Sequence, residues 1–211
     1  MVGKFEEDVR VLLETLYAGL ADAERQKLRR LGEKLARMHG DGLVKINHSV
    51  MELVLAKHLL VAGYAVDVER TMDGLSCDVY ATKGLGTLIV EVETGFVPPE
   101  HALDLLAYLR ARITSKITRY STRADKFALA APPHYVMWIH RALLKPPRER
   151  TPEDVVEVKA LCDAYYRSPP VGLDDVRNAR LHAIYLLDVD HARVHETDPV
   201  DYVEKTARMN Y

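Results

Sequence analysis

The stretch from Leu75 to Gly95 constrains this chain more than any other, because it sets acids into what otherwise reads as buried β-structure. Leu75-Ser-Cys-Asp-Val-Tyr-Ala81 and Leu88-Ile-Val-Glu-Val-Glu-Thr94 are rich in β-branched and apolar residues, and Lys83-Gly84-Leu85-Gly86 supplies a tight turn between them. Side chains alternate along a strand, so Glu91 and Glu93 leave one face while Val90 and Val92 leave the other. With Asp78 opposite or diagonal to Glu91, three carboxyl groups meet in a core-like segment. Such a cluster is costly unless a cation or shared protons neutralise it. The plain alternative is an edge hairpin whose acids face water.

A fourth acid precedes the hairpin. Ser49 to Gly63 reads as a helix that is apolar nearly all round, and the i+3, i+4 and i+7 neighbours of Glu52 are Leu55, Ala56 and Leu59. That spacing turns Glu52 inward. The same letters also fit a capping box, in which Ser49 is the N-cap and Glu52 reaches back to its amide. Both readings stand on the sequence.

A helical Glu, an Asp on a second strand and an acid-x-acid pair on a third resemble the PD-(D/E)xK nucleases, and the spacing is most similar to archaeal Holliday-junction resolvases. The intervals are 26 residues from Glu52 to Asp78, 13 to Glu91 and 2 to Glu93. The likeness covers about residues 46 to 135. It implies an α/β fold: a restriction-endonuclease-like core of mixed sheet flanked by helices, with an N-terminal helical extension over 1–45 and a C-terminal extension over 136–211. It also implies a divalent-metal-dependent DNA endonuclease acting as a homodimer, with Mg²⁺ or Mn²⁺ held by Asp78, Glu91 and Glu52. Glu93 stands where the family usually has Lys, a variant similar to a minority of type II restriction enzymes. It would act as the water-activating carboxylate, and Lys116 is the candidate for a displaced lysine. A catalytically inactive relative that binds nucleic acid or protein is the alternative. A structural module with solvated acids is a third reading.

Net charge is −2, but its distribution is uneven: +1 over 1–45, −4 over 46–98, +6 over 99–150 and −5 over 151–211. Positive charge follows the acids directly, as a phosphate-binding surface beside a metal site requires. Arg112, Lys116, Arg119 and Arg123 recur at helical spacing within 100–122, and no acid lies between Asp104 and Asp125. This stripe reads either as a solvated face or as a contact to DNA phosphates, with Leu103, Leu106, Ile113, Ile117 and Tyr120 on the apolar side.

Cys77 and Cys162 make neither a disulfide framework nor a zinc site. No apolar run is long enough to span a bilayer, and Met-Val-Gly-Lys-Phe-Glu-Glu-Asp lacks a signal-peptide pattern, so a cytoplasmic protein away from membranes is expected. One Gln, three Asn and 28% charged residues point to a thermophilic source.

Elsewhere, periodicity predicts helices over 5–20 and 22–39, the second carrying a basic face that reads either as solvated or as DNA-touching. Strands are expected at 65–70, 126–131 and 182–188. Helices are expected at 134–144, from Thr151 to about Tyr166, and at 199–208. His191 and His195 have the spacing of a zinc pair, but their neighbours do not favour a helix.

Overall fold

The structure, a computed structural model, describes residues 3–209. Helices α1 (Lys4–Leu16), α2 (Asp22–Gly40) and α3 (Ile46–Val61) come first. A hairpin-rich sheet follows in β1 (Ala65–Met72), β2 (Leu75–Lys83) and β3 (Gly86–Val92). Next come α4 (Leu105–Tyr120), β4 (Lys126–Ala131), α5 (Arg141–Leu144), α6 (Pro152–Tyr165), α7 (Leu173–Asn178), β5 (Ala183–Asp188), β6 (Arg193–Thr197) and α8 (Pro199–Met209). The chain is α/β, with one six-stranded mixed sheet in sequential order β1 to β6. β3, β4 and β5 run parallel, and the outer pairings are antiparallel.

Each sheet face carries its own core. On one, Val68, Val79, Val90 and Val92 pack with α3 and with the apolar sides of α1 and α2. On the other, Ile89, Phe127 and Leu129 pack with Ile113 and Ile117 of α4 and with residues of α5 to α8. The expected N-terminal extension therefore completes one hydrophobic layer, and the C-terminal segment completes the other. No helix among the described residues is long and apolar enough to cross a membrane.

Several expectations are corrected. The helix after Pro98 begins only at Leu105, because a 3-10 turn over Pro99–His101 leads into Asp104 as N-cap. Leu103 and Leu106, assigned to its apolar side, are exposed, and Leu109 and Ala111 are buried instead. The helix expected over 134–144 shrinks to the four residues of α5, since Pro132-Pro133 leads into irregular chain. α7 and β6 have no counterpart in the sequence reading. α6 starts as read, with Thr151 and Asp154 forming a capping box.

The capping-box reading of Glu52 also fails. α3 begins three residues before Ser49, with Lys45 as N-cap, so Ser49 lies inside the helix and is itself buried.

The candidate metal centre

The hairpin changes face at one row of residues. Val68 and Val79 point into the α3 core, whereas Met72 and Cys77, two or four positions along the same strands, lie in the α4 core. Regular alternation would keep each set on one side. The switch falls at Glu69 and Asp78, the row that the pairing skips between Val68↔Val79 and Arg70↔Cys77. Glu69 takes a left-handed backbone (φ 46°), an uncommon conformation for a residue with a Cβ.

Between β2 and β3, backbone pairing stops at Val79↔Val90. Beyond it, carboxylates take over the ladder. The Asp78 amide donates to Glu91 Oε1 at 3.1 Å, and the Val92 amide donates to Asp78 Oδ2 at 2.6 Å. Asp78 thus sits in the plane of the sheet, reached by helices from both layers.

On the α3 side, His48 and Glu52, one helical turn apart, approach Asp78. His48 Nε2 lies 3.3 Å from Asp78 Oδ2 and 3.5 Å from Glu52 Oε1. His48, Glu52, Glu69 and Asp78 each offer a ligand atom, and all four atoms lie within 4.8 Å of one another. Glu52 is fully buried, and its carboxyl meets only the Glu69 carboxyl, Asp78 and the His48 ring among the charged groups of the described residues. Burial, then the charges of Asp78 and Glu69, push the Glu52 carboxyl well above the usual carboxylate range. Burial and Asp78 raise Glu69 as well.

On the α4 side the acids are already neutralised. Lys116 Nζ lies 3.3 Å from Asp78, 3.2 Å from Glu91 and 3.0 Å from Glu93, and donates to the Val92 carbonyl at 2.9 Å. Arg112 Nε adds a contact to Glu93 at 3.0 Å, and its Nη1 donates to the Phe96 carbonyl at 2.7 Å. Burial works against the Lys116 charge, yet Asp78, Glu93 and Glu91 lift its pKa well above the ordinary value. Burial would likewise raise Asp78, but Lys116 and His48 hold it below the usual carboxylate range. Glu91 goes the other way, raised by burial and by the Asp78 charge against the opposing pull of Lys116.

The solvated-hairpin reading is overturned, because Glu91 and Glu93 are buried. The structure brings Glu52, Asp78, Glu91, Glu93 and Lys116 into one continuous network, but it divides them. Glu91, expected beside Asp78 and Glu52 as a ligand, turns to the Asp78 amide and Lys116, and the Val92 carbonyl is occupied by the same ammonium. His48 and Glu69 stand beside Glu52 and Asp78 in place of Glu91, and neither was singled out from the sequence. His48 was legible as the i−4 neighbour of an inward Glu. Glu69 was not, since its backbone conformation carries no sequence signal.

The basic stripe has partners that the sequence did not disclose. Arg119 donates to the carbonyls of Tyr166 and Pro169 and sits over the Tyr166 ring, while Arg123 pairs with Asp73 at 3.2 Å. Like charges along α4 therefore meet acceptors from distant chain segments, carbonyls for Arg119 and an acid for Arg123. On α2, Lys34 likewise pairs with Asp67, and its other cations are mostly exposed. His191 is held by Asp188, and His195 lies in β6.

The comparisons are silent. The chain matches no protein-family model, no curated protein and no solved structure. Chemistry alone therefore tests whether the residues fit a cation. Three carboxyl groups and an imidazole converge, and no lysine or arginine among the described residues pairs with Glu52 or Glu69. This set fits a divalent ion, and the imidazole moves the preference from Mg²⁺ towards Mn²⁺ or a later metal.

Proposed function

We propose that this chain is a divalent-metal-dependent nuclease that hydrolyses phosphodiester bonds in DNA, built on a restriction-endonuclease-like core. The observation that carries the reading is the convergence of the buried Glu52 carboxyl with Asp78, Glu69 and His48, where no lysine or arginine among the described residues pairs with Glu52 or Glu69. An uncompensated buried carboxylate is expensive, and a ligated cation removes the expense. The order of elements, with Glu52 on α3, Asp78 on β2, Glu91 and Glu93 at the end of β3 and Lys116 on α4, agrees with the resemblance.

His48, Glu52, Glu69 and Asp78 would hold the ion. When bound, such an ion polarises a phosphoryl oxygen and lowers the pKa of a water. Lys116 stays an ammonium at neutral pH, so it steadies negative charge on the phosphate and takes no proton. Glu93, clamped by Lys116 and Arg112, holds those cations in place. A cleft of about 200 Å³ over Lys116, lined by Arg112, Arg119, Tyr120 and Tyr166, offers cations for phosphate and rings for a sugar or base. DNA as partner, and a second copy of the chain to cut the second strand, belong to the same proposal.

One observation favours a second reading, an inactive relative that binds nucleic acid or protein. Lys116 already contacts all three nearby carboxylates, as a purely structural network would. Calorimetric titration with Mn²⁺, followed by incubation with linear, nicked, branched and single-stranded DNA, separates the two. Binding plus cleavage, both lost in Asp78→Ala, supports the nuclease. Ion binding without cleavage of any substrate supports the inactive relative, and absence of ion binding removes the metal centre altogether.

A further inference from the structure

A second concave site lies two strands away from β3, where α5, α7 and the start of β5 meet. Its volume is about 860 Å³, and none of the four candidate metal ligands lines it. Its wall contains Lys145, Arg148, Arg150, Arg177, Arg180 and His182, and no carboxylate. Leu143, Leu144, Val155 and Leu181 make an apolar floor, and Pro146, Pro147 and Pro152 stiffen one side. The volume is in the range of small-molecule sites.

The cations have different duties. Arg150 is a scaffold: it donates to the carbonyls of Ala142 and Lys145 on one wall and of Val176, Arg177 and Ala179 on the other, fixing the width of the cavity. Lys145 is neutralised by Asp154 at 2.6 Å. The rim is held loosely. Arg177 pairs with exposed Asp174, Arg148 is 3.7 Å from Glu149, and Arg180 has no ion pair among the described residues. Arg180 is near enough to weigh against the charge of both Arg150 and His182. Phe127 donates its amide to His182 Nδ1 at 3.0 Å, which leaves the ring proton on Nε2 as a donor.

A preformed apolar floor under arginines that carry either an exposed ion pair or none among the described residues calls for an anion with a flat apolar body. We infer that this cavity binds a nucleoside phosphate, its base on Leu143 and Leu181 and its phosphates on Arg148 and Arg180. A strand of nucleic acid fits less well, because backbone contact asks for an open basic track and not a floored recess.

The test is calorimetric titration of the full chain with ADP, adenosine and pyrophosphate in EDTA, so that no divalent ion at His48 and Asp78 contributes a phosphate site. Saturable ADP binding is expected, tighter than that of either fragment and weakened about tenfold in Arg148→Ala/Arg180→Ala. Both positions are exposed, and an unchanged melting temperature confirms that the double variant is folded. No saturable ADP binding, or binding indifferent to the double variant, overturns the inference. Pyrophosphate binding as tightly as ADP removes the base from it. A single-stranded oligonucleotide that binds at these arginines and is not displaced by ADP replaces it with a strand contact.

Discussion

The two sides of Asp78 solve the same electrostatic problem in opposite ways. Facing α4, Glu91 and Glu93 are matched by Lys116 and Arg112, so the acids there need nothing from outside the chain. Facing α3, Glu52 and Glu69 share their surroundings with Asp78 and one imidazole, and no lysine or arginine among the described residues pairs with them. Asp78 is common to both, and the helices bring different partners to it, an imidazole from α3 and an ammonium from α4. An acidic cluster in a core therefore does not by itself call for a metal. What calls for one is the part of the cluster that the protein leaves uncompensated.

The largest effect should come from breaking the compensated side. Lys116→Ala leaves Asp78, Glu91 and Glu93 buried without their shared cation, and a loss of about 3–5 kcal/mol in urea unfolding is expected. A loss below about 1 kcal/mol would mean that the two sides do not differ as described. Next comes the open side. Mn²⁺ at a hundred times its dissociation constant should add about 2.7 kcal/mol to the wild type and nothing to Asp78→Ala. Without a divalent ion, Glu52→Gln should change stability by no more than about 1 kcal/mol, because burial already keeps the Glu52 carboxyl in its neutral form and Gln is a neutral group of the same shape; thermal melts in EDTA read this directly.

The pH dependence has a definite sign. Glu52 and Glu69 have raised folded pKa values, so their contribution to stability is complete below the unfolded value and is lost as pH rises through the folded ones. Asp78, with a lowered folded value, contributes above its unfolded pKa and loses that contribution on acidification. Ion binding must displace protons from Glu52 and Glu69, so the stabilisation by Mn²⁺ should grow between about pH 5 and pH 8. Melting curves across that range check it, and a constant increment would disconnect the ion from these carboxyls. The smallest effect should be Arg123→Ala, within about 0.5 kcal/mol, since its ion pair with Asp73 is exposed.

Much of this arrangement is legible in the sequence where the signal is local. Strand composition and a Gly turn suffice for β2 and β3, and the apolar run around Glu52 suffices for α3. The convergence of Asp78, Glu91 and Lys116 follows from pairing two strands and covering them with the next helix. What escapes is decided at a distance or by backbone detail. The partners of Arg119 and Arg123 come from segments about fifty residues away in either direction. The face switch at Glu69 and Asp78 breaks the alternation on which strand reading depends. β6 and α7 are short and mostly polar at the surface, so neither carries a periodicity long enough to read.

Pulsed electron paramagnetic resonance of Mn²⁺ added to the protein distinguishes the two sides of Asp78, because only the α3 side contains a nitrogen ligand. The expected result is ¹⁴N modulation from one imidazole in the wild type, absent in His48→Asn. Mn²⁺ bound at this site with an all-oxygen shell in the wild type, or no bound Mn²⁺ at all, would contradict the assignment of the metal to His48, Glu52, Glu69 and Asp78.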